Sequence, residues 1–517
     1  MGSHYIPVGK IKIDKDILDI VCPAAGYGET PPPPEIYCPV NGYIQEPGQP
    51  FVPPIEVPDP SEDEIIMLVQ NAGFRLFRIV VNVSTGHWFF EVYDSNNNLI
   101  ETSSNYTSSA AYDLSDYPDN ALLIIKIKPT VGNITRFYAS QNTAYAGADY
   151  PILQVKFNTP ELKSLQSAFL SVKAIKDVQF IGSVEKLVTL QDAFASSGLE
   201  YWKPSANFAA LTTLYKAFNN SEIRVVDFSD SLMPVLEDLY QCFANVKDGY
   251  KAILPSSLPL VWRMQQVFYK ASFKQVIMPT HAPSVTNYGS FLQESNVQGE
   301  INVPESKVCT SCSSFARSAS KVEKIIFNGE WPELANFDHA FSSTLKCTHL
   351  IYPEVLGSPT VTCILDTATN LMPELREIVF PSIAYTNRAL YSYQQYKVRS
   401  ITGFTDPLNQ AVGSELPYAA NLEVFNIPYA KFSRLWLGTS APAPKLTHVD
   451  VDWANSPWDS ASSPTIRIRA NLDANEINRI FGLLPTVVDG QSINVVSNPG
   501  YATCDKTIAQ NKGWTVL

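Results

Sequence analysis

Phenylalanine recurs along the middle of this chain at Phe169, Phe194, Phe218, Phe243, Phe268, Phe291, Phe315 and Phe341, at intervals of 25, 24, 25, 25, 23, 24 and 26 residues. An apolar residue stands seven places before most of them (Leu162, Leu187, Leu211, Leu236, Val261, Val308, Leu334), and another four places before (Leu165, Leu190, Leu214, Leu239, Met264, Phe337). Spacings of 3, 4 and 7 put side chains on one face of a short helix. After each Phe comes a triplet at i, i+3 and i+5, as in Ile175/Val178/Phe180, Leu199/Trp202/Pro204, Ile223/Val226/Phe228, Phe273/Val276/Met278 and Val322/Ile325/Phe327. Its last two members alternate as a strand does. A helical turn and a short strand every 24 or so residues predict a stacked repeat array, in which neighbouring units supply each other's core.

Further strand marks at Ile351-Tyr352-Pro353, Ile378-Val379-Phe380, Ile401 to Phe404, Phe425-Asn426-Ile427 and Val449-Asp450-Val451 continue the period, with Ala384 to Val398 expected to bulge as a loop. Leu472 to Ile477 offers a helix start and Ile493 to Val496 a strand, consistent with a terminal cap. Upstream, alternation predicts strands at Glu64–Gln70, Arg75–Val83, Trp88–Tyr93 and Ala121–Lys128, with Asp94 to Asn98 closing a hairpin. Short strands at that spacing predict a small β-sandwich. Residues 23–60 are proline-rich, which favours extended chain over packed elements. The fold class expected is therefore an α/β leucine-rich-repeat solenoid of short parallel strands and short helices, preceded by a small β-sandwich and an extended N-terminal arm. The predicted boundaries are 1–60 for the arm, 61–150 for the β-sandwich adaptor, 151–470 for the solenoid and 471–517 for the cap.

The arm carries a duplication. Ile20, Cys22, Pro23, Gly26 and Tyr27 recur sixteen positions later as Ile36, Cys38, Pro39, Gly42 and Tyr43. Two equivalent docking contacts on a partner are the reading this suggests, against a linker with chance similarity.

Composition narrows the function classes. Of 517 residues, 45% are hydrophobic and 17% charged, and the formal net charge is -12, which opposes a phosphate backbone. No nucleic-acid partner is expected. No apolar run reaches the 18 or so residues of a membrane span, so no membrane insertion is expected. Residues 1–20 lack the continuous apolar core of a secretion signal. The Cys309 to Cys312 CxxC stands without a second pair or a nearby His, so packing is favoured over zinc or redox chemistry. Asp450 and Asp452 with Asp459 form a weak cation candidate. The six histidines sit in no HExxH, GxSxG or phosphate-loop pattern, and neither an enzyme nor a cofactor is expected. Exposed aromatic rings stack on sugars, and Tyr352, Trp453 and Trp458 are the candidate ligand contacts.

The LxxLxxAF units resemble BspA-type leucine-rich repeats of Bacteroidetes, other bacteria and phages. The segment Asn498-Pro499-Gly500 to Cys504-Asp505, Ile508-Ala509 and Lys512-Gly513-Trp514-Thr515-Val516 is similar to an ending common in such proteins. The resemblance covers roughly 154–517 and is specific for fold and lineage more than for function. Combined with the signal-free start, it implies a phage virion protein, a capsid decoration or head fibre assembled in the host cytoplasm. Its implied partners are other virion proteins of capsid or tail and host-surface or mucin-type glycans, in a homo-oligomer, with trimers favoured by analogy with fibres. A bacterial cell-surface adhesin of the same repeat family is the alternative.

Overall fold

The computed structural model describes residues 51–517, apart from 72–75, 140–150, 366–370, 387–396, 408–411, 460–463 and 489. Residues 20–43, with both copies of the duplicated motif, lie outside the described residues, as does most of the expected loop at 384–398.

The N-terminal part is antiparallel. Its strands are β1 (Glu64–Gln70), β2 (Leu76–Val83), β3 (Trp88–Tyr93), β4 (Leu99–Thr102), β5 (Ser109–Asp113), β6 (Leu122–Pro129), β7 (Ile134–Tyr138), β8 (Ile152–Asn158) and β9 (Asp177–Phe180). Of these, β1, β2, β3 and β6 match the expectation within a residue, whereas β4, β5 and β7 are too short and polar to have been marked. The predicted hairpin turn forms: the Asp94 carboxylate accepts the Asn96 and Asn98 backbone N–H groups, and Asn97 sits at φ 62°. One sheet runs β4-β3-β6-β1-β8-β9 and the other β5-β2-β7. Strand β1 is apolar throughout because both its faces are covered. Ile65, Met67 and Val69 enter the main core, while Ile66 and Leu68 pack with Ile124 under Val57, from the segment before β1. The Lys156 ammonium fastens this segment by donating to the Val57 carbonyl and the Asp59 carboxylate, at 2.7 and 2.8 Å.

Both sheets continue into the repeat array. Strand β8 pairs antiparallel with β1 but parallel with β9, the first strand of the repeats (Val155 opposite Val178). On the other wall, Arg136 of β7 bridges in parallel to Ser164. One continuous hydrophobic cluster runs from Ile65 to Trp514.

From there the chain is a parallel β-solenoid of about 14 turns. Along one wall short strands stack in register, for instance Val226 on Ala252 on Val276, and later Ile325, Leu350, Ile378, Ile401 and Phe425. These strand marks were legible in the sequence. The helical half was not: among the described residues α-helix is confined to Ala474–Leu483 and Thr507–Gln510. Each LxxLxxAF segment is instead a run of overlapping turns. In the first, Ala168, Leu170 and Val172 donate to the carbonyls three residues back, while Leu165, Ser167, Phe169 and Ser171 donate across to the next coil, to Thr189, Gln191, Ala193 and Ala195. A helix would use those N–H groups internally. The backbone decides the matter, because Ser167 and Ser171 sit at φ 55° and 62°. The same two positions are left-handed in each of the next seven coils: Asp192 and Ser196, Lys216 and Asn220, Gln241 and Asn245, Gln266 and Lys270, Ser290 and Glu294, Ser314 and Ser318, His339 and Ser343. A type II turn demands positive φ at its third residue, and a right-handed helix forbids it.

This left-handed column also corrects the register of the comb. Its first members follow at intervals of 25, 24, 25, 25, 24, 24 and 25, without the 23 and 26 of the phenylalanines. Cross-coil bonding agrees, since Phe268 donates to Phe291, and Leu292 to Phe315. Phe291 and Phe315 thus fill the small-residue slot, and Leu292 and Ala316 take the place of the earlier phenylalanines. The seventh coil's inward pair is then Cys309 and Cys312, both buried, in the slots that leucines hold elsewhere. Val308, assigned inward from the phenylalanine spacing, is 45% exposed.

The C-terminal motif residues close the last coil. The buried Asn498 side chain accepts the Ala470 N–H at 2.9 Å and donates to the Ile468 and Val495 carbonyls. Gly500 approaches the helix start so closely that a Cβ would lie 2.1 Å from the Ala474 nitrogen. Gly513 turns at φ 87°, and Trp514 is buried with its indole N–H on the Pro485 carbonyl at 2.9 Å.

Candidate functional site

The three aromatic residues singled out from the sequence are core residues. Tyr352 occupies the inward strand column shared with Phe327 and Phe380, and its ring lies flat on that of Phe380 at 5.2 Å. Trp453 and Trp458 are 2% and 8% exposed, stacked at 6.0 Å, and the Trp458 indole N–H donates to the Trp453 carbonyl. Trp514 meets Trp458 edge-on, so the cap seals this pair from solvent. None of the three rings offers a face to a ligand, which corrects the expectation that they contact one.

The other sequence candidates also resolve into packing. The Cys309 and Cys312 sulfurs are 4.0 Å apart in the core, and burial, with Cys309 beside it, pushes the Cys312 thiol up. Asp450 faces the Arg479 guanidinium at 3.8 Å, while Asp452 caps a turn by accepting the Asn455 N–H groups. Among the described residues no group of three His, Cys, Asp or Glu side chains is placed to hold a metal. None of their helices is long and apolar enough to cross a membrane.

The feature with the composition of a recognition site lies on the outside of the turn wall and was not singled out from the sequence. Residues six, five and three places before the inward Phe point outward, and between the second and fifth coils they form an open groove of about 380 Å³. Trp262 stands at its rim, 44% exposed. Tyr215 and Tyr240, one coil apart at the same register, stack at 5.4 Å. Arg263 lies over the Tyr240 ring at 4.7 Å and beside Trp262 at 5.1 Å. A two-pronged ion pair with Asp238 fixes its orientation, with Nε to Oδ1 at 2.9 Å. Asp238 is itself held by accepting the Tyr240 backbone N–H at 2.8 Å. Gln191, Thr212 and Glu237 complete the lining. Tyrosine at the same place in two successive units, outward of the inward apolar residues, was the available signal.

No protein-family model, curated protein or solved structure matches this chain.

Proposed function

We propose that this chain is a non-catalytic display protein: a phage structural protein with BspA-type leucine-rich repeats, presented on the virion as a capsid decoration or fibre subunit. In this reading the proline-rich arm docks on other capsid or tail proteins through the paired motifs at Ile20 to Tyr27 and Ile36 to Tyr43. The paired sheets of residues 61–150 form a β-sandwich adaptor, and the solenoid presents its outer wall to host-surface or mucin-type glycans. Oligomerisation, as a trimer, multiplies weak contacts.

The observation that carries the display reading is the division of labour in the coils. Each unit commits its inward columns to one core continuous from the N-terminal sheets to the cap. Its outward columns are left free to vary, and in the second to fifth coils they concentrate aromatic and charged side chains. A rigid rod with variable outward columns is a binding surface. The repeat pattern and the Asn498 to Val516 ending support the phage and BspA assignment.

Cosedimentation with purified particles tests it. The full chain is expected to travel with particles and a chain lacking residues 1–50 to stay in the supernatant while keeping its melting temperature. Recovery of the full chain in a cell-envelope fraction instead contradicts the virion assignment.

A further inference from the structure

We propose that the groove between Tyr215, Glu237 and Trp262 is a saccharide-binding site for neutral sugars. The inference rests on the reading of the solenoid as a display surface and names the ligand class that one part of it takes.

Three properties of the groove point to this chemistry. The first is an aromatic platform in solvent. One face of a pyranose ring presents slightly positive C–H bonds, which match the negative face of an indole or phenol ring. Trp262 supplies such a face at 44% exposure, and its backbone is already fixed by the N–H bond to the Glu237 carbonyl. Tyr215 lines the same groove, with one ring face set against Tyr240.

The second is a set of short polar groups beside the platform. Sugar hydroxyls both donate and accept, so their site needs a mixture of carboxylate, amide and hydroxyl groups. Glu237, Gln191 and Thr212 line the same groove. Its size, about 380 Å³, falls at the lower end of the range of about 300 to 1,000 Å³ for small-molecule sites.

The third is charge. Asp238 neutralises Arg263 in a two-pronged pair, and the stack of Arg263 on Tyr240 keeps the guanidinium against the wall. Among the described residues the Glu237 carboxylate takes part in no ion pair, so the side chains lining the groove carry one net negative charge, with the Lys216 ammonium over Tyr215 at its edge, 5.2 Å from the ring centre. The whole chain adds to it at -12. Sialylated and sulfated sugars meet repulsion here, and neutral hexoses and N-acetylhexosamines do not. Arg263 and Asp238 are positioning residues: their pair holds the rings and keeps the Arg263 guanidinium from an anionic group.

The test uses the full-length chain on an array of neutral and anionic glycans, followed by calorimetric titration with the best neutral hit. Retention of neutral glycans is expected. Trp262→Ala should weaken the titrated affinity about tenfold or more, with an unchanged melting temperature because the ring is at the rim. Glu237→Gln should weaken it less while leaving the preference over sialylated glycans reduced. Unchanged affinity in Trp262→Ala places binding elsewhere and overturns the site. Selection of anionic glycans overturns the ligand class, and a blank array, with binding confined to a protein receptor, overturns both. None of these outcomes alters the cosedimentation result, which decides the display reading separately.

Discussion

The rings of Phe268 and Phe291 meet at 82° with centroids 5.4 Å apart, whereas Phe169 to Phe194, Phe194 to Phe218, Phe218 to Phe243 and Phe243 to Phe268 each lie within 18° of parallel. The break marks where the aromatic side chain moves one residue along the coil. Phe291 to Phe315 is flat again at 16°, and the return at Phe341 is edge-on at 64°.

Exchanging the two side chains, Phe291→Leu with Leu292→Phe, conserves volume at two adjacent inward positions. The double variant should lose less than about 1.5 kcal/mol. Phe218→Ala, in the middle of the flat stack, should lose about 3 to 5 kcal/mol. Urea unfolding of both variants checks this, and a double exchange as costly as the truncation contradicts the register correction.

Trp453→Ala removes a core ring that touches Trp458 and underlies the cap. The expected cost is about 3 to 5 kcal/mol, with early loss of the C-terminal coils in hydrogen exchange. A variant of wild-type stability that loses only ligand binding contradicts the burial.

The cap should respond to acid through Glu476. Burial works to raise its carboxyl, but bonds from Arg479 and the Val449 N–H, with His448 nearby, outweigh this and hold it below the ordinary glutamate value. A depressed folded value means that the stabilisation is complete above the unfolded value of about 4.3 and is lost as pH falls through the folded one. Glu476→Gln should lower cap stability at neutral pH, by about 2 kcal/mol, and flatten its dependence below pH of about 4.5. Melting curves of both proteins across that range measure it, and parallel curves sink the assignment.

Much of the fold was legible because inward positions repeat. The strand triplets, β3 and β6 follow from alternation, β1 from its unbroken apolar run, and the paired leucines from their period. The turn wall was misread because overlapping turns bury residues at the same 3, 4 and 7 spacings as a helix. The distinguishing sign lay in the left-handed positions, where Ser and Asn recur among other polar residues and no β-branched residue appears. The groove escaped notice for a related reason. Tyr215, Tyr240 and Trp262 sit in successive coils and become neighbours only through coil-to-coil stacking, which the spacings within one unit do not display. Trp453 and Trp458 misled because they were judged by their nearness to the strand mark at Val449 to Val451, whereas both rings fold inward and stack on each other.

The left-handed positions give the most direct test of the account. Ser314 sits at φ 54°, one place before Phe315 and inside the segment that the spacing reads as helix, with its backbone N–H donating to the Asp338 carbonyl of the next coil. In a helix, alanine at this place is better than glycine by about 1 kcal/mol. In the turn wall the order reverses, because left-handed backbone costs a residue with a Cβ about 1 to 2 kcal/mol and glycine almost nothing. Urea midpoints of Ser314→Gly and Ser314→Ala decide between the two. The glycine variant is predicted to be the more stable, and a more stable alanine variant contradicts the turn-built solenoid.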